Sequence, residues 1–226
     1  MIVYLDIETL PTQDAGLIAE LEAGITPPSS YSKPESIQKW LEENKAAALA
    51  EKVAKTSFDG MYGRIACIAW AVGDGNVRAS SATCSEEDTL HDFYDSVAAE
   101  ARIQYHGGAT EQGIAICGHN VAGFDLPFMR HRSIVLGIKP PAVVLKAMQA
   151  KPWGSEVADT MLMWSADRER RASLDKLCKV LGIPGKDGFD GSMVAATWPT
   201  DPQKVIAYCM DDVERVRAIY KRLTFQ

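Results

Sequence analysis

No two cysteines in this sequence stand at C-x-x-C spacing, and the four histidines are as scattered as the five cysteines, Cys67, Cys84, Cys117, Cys178 and Cys209. That distribution excludes a zinc knuckle and a disulfide framework, and it suits a reducing compartment. Most of the cysteines sit in apolar runs and read as core filling. Positive charge is short as well: 24 Lys and Arg stand against 30 Asp and Glu, a formal charge of −6 with a pI of about 5.3. With no global basic field, any nucleic-acid binding has to be local or work through bound cations. Nowhere do 18 apolar residues run together, and no basic segment leads into a long apolar core at the N-terminus. The expectation is a chain without membrane spans, working in the cytoplasm.

What is present is an ordinary globular composition, 46% hydrophobic and 24% charged, on a chain of 226 residues. That length supports one good-sized core with at most a small appendage. The opening "MIVYLDIE" reads as a strand buried on both faces. A polar, Pro-marked stretch of about 50 residues follows, Pro11 to Tyr62. In it "GITPPSSYSKPE" reads as loop and "SIQKWLEENKAAALAEKVAK" as helix. "RIACIAWAVGDGNVRASSAT" predicts two strands joined at Gly73-Asp74-Gly75. "SEEDTLHDFYDSVAAEAR" begins with a Ser cap and an acidic first turn, and continues as helix. "GIAIC" is a short buried strand, "FDLPFMRHRSIVLG" a helix stopping at Gly137, and "SEVADTM" a last strand. "ASLDKLCKVLGIPGK" predicts a helix closed by Gly182, and the final helix spans about Pro202 to Leu223. The expected fold class is α/β, one domain around a mixed sheet, with a helical insertion at about 11–62.

The first strand carries Asp6 and Glu8 at its end. Strand side chains alternate, so both carboxylates point the same way, where they repel and are costly to desolvate. The last helix poses a matching problem. At about 100° per residue, Val205, Cys209, Val216, Ile219, Tyr220 and Leu223 form one apolar stripe. Asp212 falls about 20° from its centre and Tyr208 about 60°, whereas Asp211 lies about 120° away. Of the two adjacent acids, Asp212 faces the core. A fourth acid, Asp125 in "GHNVAGFDLPFM", stands at the mouth of a helix, where an N-cap is its commonest role. Acids gathered at buried strand ends with few bases beside them suit oxygen-liganded divalent cations.

"DIE" at 6–8, "HNVAGFD" ending at Asp125 and "YCMDD" from Tyr208 to Asp212 resemble the three motifs of the DEDD superfamily of 3′–5′ exonucleases. Tyr208, four residues before Asp212, resembles the tyrosine-containing branch; the histidine of the other branch would stand where Ala207 is. The chain is most similar to stand-alone bacterial and phage enzymes resembling the exonuclease domain of family B DNA polymerases. The resemblance implies a ribonuclease H-like fold with a central mixed five-stranded sheet flanked by helices. It also implies removal of nucleoside 5′-monophosphates from DNA 3′ ends, single-stranded by preference. Two Mg²⁺ or Mn²⁺ ions about 4 Å apart would serve the reaction. By the same resemblance, Asp6 bridges both ions, Glu8 and Asp212 complete one site, Asp125 holds the other, and Tyr208 orients the attacking water. Thr9, Leu10, Asn120 and Phe124 are implied contacts of the terminal nucleotide.

Two other classes compete: a ribonuclease H-like endonuclease, and a non-catalytic nucleic-acid-binding or polymerase-accessory module. Tyr208 favours an end-directed enzyme over the first, and the full set of acids argues against the second. Other features carry less. Asp159 suits a cap, a turn or support of the metal ligands, His119 reads as structural, and "RERR" (168–171) and "RHR" (130–132) read as solvated helix faces. "GKDGFDG" (185–191) reads as a turn near the site.

Overall fold

The computed structural model describes residues 1–83, 85–106, 113–165, 171–185 and 188–226. Cys84, residues 168–170 of the "RERR" stretch and residues 186–187 of the glycine-rich loop lie outside the described residues. Strand β1 (Ile2–Leu10) is followed by α1 (Ala15–Ala23) and α2 (Pro34–Lys55), then by the antiparallel pair β2 (Arg64–Val72) and β3 (Arg78–Ser81). Then come α3 (Glu86–His106), β4 (Ala115–Gly118), α4 (Asp125–Val135), α5 (Ala142–Gln149), β5 (Val157–Asp159) and α6 (Thr160–Ser165). Helices α7 (Leu174–Leu181), α8 (Val194–Thr197) and α9 (Pro202–Leu223) complete the chain. The strands form one mixed five-stranded sheet in the order β3-β2-β1-β4-β5, with β1 antiparallel to β2 and parallel to β4. The central position of β1 explains its unbroken apolar run.

Each face of the sheet carries its own core. Val3, Leu5 and Ile7 of β1 join a cluster with Leu90, Phe93 and Val97 of α3 and with Leu126 and Met129 of α4. Tyr4 and Leu10 join the opposite cluster, with Leu177 of α7 and with Val205, Cys209, Val216 and Ile219 of α9. Alternation therefore puts Asp6 and Glu8 on the α9 side. The long helices stop and start where the local chemistry dictates. Ser85 Oγ accepts from Asp88 N at 2.9 Å, Asp201 caps α9 with Pro202 in its first turn, and Gly182 closes α7 at φ +68°. Short helices α1, α5, α6 and α8 have too few turns to show a clear period, and the sequence pattern did not announce them.

Between β1 and β2, helices α1 and α2 pack on each other through Lys45–Glu22 at 2.8 Å and Lys52 Nζ donating to Gly24 O at 2.8 Å. Neither helix buries a single residue. The segment is fastened at its ends instead. Thr12 N donates to the buried Thr56 hydroxyl at 2.8 Å, and Arg132 Nη1 donates to Gly60 O at 3.3 Å. Arg132, expected on a solvated face, is 6% exposed. Its guanidinium forks onto Glu86 at 2.8 and 2.9 Å, and Glu86 also accepts from Ile65 N. A fork of this kind satisfies a buried carboxylate that a sequence reading leaves in water. Among the described residues, no helix is long and apolar enough to cross a membrane.

Candidate active site

A β-bulge directly follows the first acidic motif. Glu8 pairs with Cys67 but Thr9 with Ile65, so Ala66 is the extra residue on β2. Bulges re-aim side chains and end regular pairing; here the change falls where the carboxylates emerge from the sheet. Helix α9 crosses the same face and delivers Asp212, 4% exposed, while Asp211 is exposed to solvent as the helical period requires. Carboxylate oxygens of Asp6, Glu8 and Asp212 all lie within 4.8 Å of one another. Three of the four acids singled out in the sequence thus converge, although more than 200 residues separate Asp6 from Asp212.

Asp125 comes to the site by a different route. The residue capping α4 is Phe124, with no side-chain cap bond, so the Asp125 carboxylate is not spent as an N-cap. Its Oδ1 instead accepts from Ile7 N at 3.2 Å, on the residue between Asp6 and Glu8. The loop leading to Asp125 is anchored by Asp159, 2% exposed, which accepts from Asn120 N at 3.0 Å and Ala122 N at 3.1 Å. The same carboxylate caps α6 through Met161 N at 3.0 Å. Asn120 sits at φ +63°, a left-handed conformation that asparagine tolerates. His119 is clamped between Thr160 Oγ1 at 3.0 Å and Ala172 O at 2.9 Å, a structural role as its sequence context suggested.

These carboxylates perturb one another strongly. Burial, followed by the charges of Glu8, Asp125 and Asp212, holds the Asp6 carboxyl well above the usual range. Burial pushes Asp125 up to about 7, against the opposing pull of backbone N–H bonds. Tyr208 is raised too, by burial and then by Asp212, Glu8 and Asp6, and its hydroxyl is hydrogen-bonded to the Asp212 side chain. Its ring packs edge-on against Phe189, with centroids 4.9 Å apart. Cys209 Sγ lies 3.4 Å from Asp6 Oδ2, and burial keeps that thiol protonated as a donor. Three convergent donors, all carboxylate oxygen, match the ligand preference of Mg²⁺ and Mn²⁺. A divalent cation would relieve the repulsion that now raises Asp6.

Sequence reasoning missed the residue that steadies Asp212. Arg215, 11% exposed at its side chain, donates from Nη1 to Asp212 Oδ1 at 2.7 Å, and from Nη2 to Gly185 O at 2.9 Å. The i,i+3 spacing on α9 was the available signal. Of the implied nucleotide contacts, Asn120 and Phe124 are partly exposed and lie in the segment that leads to Asp125. Thr9 spends its hydroxyl on Ser57 O at 2.7 Å, and Leu10 is 4% exposed in the α9-side core.

Known proteins share the sequence pattern and the fold of this chain. A family described as a predicted 3′–5′ exonuclease related to the exonuclease domain of PolB matches residues 64–225. That span holds Asp125, Tyr208 and Asp212 and begins after the insertion, leaving Asp6 and Glu8 outside it. The structure of the family B DNA polymerase from the hyperthermophilic archaeon Pyrobaculum calidifontis is similar over 99% of this chain, with a TM-score of 0.61 and 16% identity. At that identity the likeness is one of fold, the ribonuclease H-like α/β architecture, and the chain spans 24% of the polymerase chain. No curated protein matches the sequence. With the family match covering well over half its length, this chain belongs to the family of predicted 3′–5′ exonucleases related to the exonuclease domain of PolB.

Proposed function

We propose that this protein is a metal-dependent 3′–5′ exonuclease of the tyrosine-containing DEDD branch, releasing nucleoside 5′-monophosphates from the 3′ end of single-stranded DNA. The convergence of Asp6, Glu8 and Asp212 within 4.8 Å, in a chain of this family, carries the reading. Asp6, Glu8 and Asp212 would hold one Mg²⁺ or Mn²⁺ ion, and Asp125 with Asp6 a second. When bound, such ions lower the pKa of a water and offset charge on the scissile phosphate.

The chain's own residues position the reactants. Tyr208 stays protonated at working pH because burial and the neighbouring carboxylates oppose its ionisation. Its hydroxyl donates to Asp212 and is left with lone pairs that accept from the attacking water, orienting it. The water oxygen attacks phosphorus, the P–O3′ bond breaks, and the departing 3′ oxygen takes up a proton. Asn120 and Phe124 would meet the terminal nucleotide directly, whereas Thr9 and Leu10 would shape its pocket through backbone and packing. We further propose that residues 1–226 act as one catalytic domain with an insertion at about 11–62. Its setting would be the cytoplasm of a bacterial or phage-infected cell, a reading supported by four buried free cysteines among the described residues.

The test is a gel assay on 5′-labelled single-stranded DNA with Mg²⁺, Mn²⁺ or EDTA, run beside Asp212→Asn. A ladder shortening by single nucleotides, present with metal and absent in the variant, supports the proposal. Internal cuts would give the case to an endonuclease, and intact DNA throughout to a binding module.

A further inference from the structure

Residues 58–62 expose three large apolar side chains close together: Phe58 at 73%, Met61 at 58% and Tyr62 at 42%. Large apolar side chains exposed within five positions of one another suit an interaction site. The segment is not loose. Met61 N donates to Asp59 Oδ1 at 2.9 Å, and Gly63 N to Asp59 O at 2.8 Å. Its backbone lies against the protein so closely that a β-carbon on Gly60 would come within 2.7 Å of Phe128 O, and one on Gly63 within 2.5 Å of Thr56 O. The patch is therefore held in place on a rigid support, with its aromatic rings in water.

Both supports lead to the acid cluster. Thr9, the residue after Glu8, donates its hydroxyl to Ser57 O at 2.7 Å, beside Phe58. On the other side stands α4, which carries Asp125 at its start and presents Phe128 and Arg132 to Gly60. The rings of Phe124 and Phe128 pack in a tilted contact with centroids 5.6 Å apart, so aromatic side chains run from Asp125 toward the patch. Position beside the acid cluster selects the occupant, and charge limits how it is held. In a protein of net charge −6, next to converging carboxylates, a polyphosphate strand gains little from phosphate contacts. Base faces stacking on aromatic rings supply affinity that does not depend on charge.

We infer that Phe58, Met61 and Tyr62 form a stacking platform for single-stranded DNA, taking the bases 5′ of the terminal nucleotide. This rests on the exonuclease reading for its direction along the strand, and its test is independent of cleavage. Fluorescence anisotropy of a 5′-labelled 12-mer of thymidylate is measured in EDTA, where no metal-dependent cutting occurs. The Phe58→Ala/Tyr62→Ala double variant should bind roughly tenfold or more weakly. Phe58→Trp should retain native affinity, and an abasic 12-mer should bind native and double variant alike. The slope of affinity against salt should not change, because no phosphate contact is lost. Equal thermal midpoints would show that these exposed truncations leave the fold intact. Affinity within twofold of native in the double variant overturns the platform. So does a concentration-dependent dimer, seen by sedimentation, that the double variant abolishes with DNA affinity unchanged. Binding without cleavage in Mg²⁺ or Mn²⁺ would sink the exonuclease reading and leave the platform standing; cleavage with unaltered binding would do the reverse.

Discussion

Strand β1 and helix α2 sit on either side of the same chain connection and are stabilised in different ways. In β1, Val3 and Leu5 are fully buried, with neighbouring strands on both edges and helices on both faces. In α2, no residue is buried, and support comes from helix-forming side chains and exposed pairs such as Lys55–Glu51 at 2.6 Å. Both partners of such a pair stand in water, where solvent screening leaves it a minor contribution. The acids that repel one another stand on β1, not on the insertion. A strand over-determined by packing can hold like charges together, whereas a peripheral helix would yield to them. The insertion is fastened to that rigid region at its ends, and its C-terminal end carries the exposed rings.

Breaking the joint between the two regions should have the largest effect on stability. Arg132→Met leaves Glu86 buried without its fork and frees Gly60 O, and should cost about 3–5 kcal/mol in urea unfolding. A loss below about 1 kcal/mol would mean that water reaches the pair. Asp212→Asn acts on the core side alone. Cleavage should fall by at least about 10²-fold with the circular dichroism spectrum unchanged, and an unimpaired rate would remove Asp212 from the chemistry.

The pH dependence sharpens the contrast further. Asp125 is held at about 7 in the folded chain against 3.8 in the unfolded one. The native state therefore binds the extra proton, and this group's contribution to stability is lost as pH rises between those values. In EDTA, the thermal midpoint of native protein relative to Asp125→Asn should decline from pH 4 to pH 7. Mn²⁺ should reverse the decline and bind more tightly as pH rises, releasing protons detectable by calorimetry. A pH-independent difference between the two proteins would show that Asp125 is not protonated in the folded state. Least of all should come from the insertion: Ala47→Gly, on an exposed face of α2, should cost about 1 kcal/mol or less. The cleavage rate should not move, and a change would mean that α2 contributes to catalysis.

Much of the site was legible because its elements declare themselves locally. The strand before Asp6 is apolar enough to be central, and the stripe on α9 separates Asp212 from Asp211 without any tertiary knowledge. Asp125 was legible as a position, and its role as a metal ligand came from the family resemblance and not from its local context. An Asp at a helix mouth is most often a cap, and only the fold shows its carboxylate turned to Ile7 N, 118 residues away. Arg132 was misplaced for a related reason, since a basic triplet on a helix looks solvated until Glu86 is known to meet it.

Sequence by itself therefore determined which segments are strands and long helices, and which face of α9 turns inward, because those properties depend on periods set by adjacent residues. Tertiary structure alone decided that Glu8 is followed by a bulge and that Glu86 and Arg132 share one buried site. It decided as well that Arg215 spans from Asp212 to the Gly185 loop, and that an exposed aromatic patch hangs from the residue after Glu8. These depend on groups far apart in the chain, and a partner supplied by packing leaves no period in the sequence to announce it.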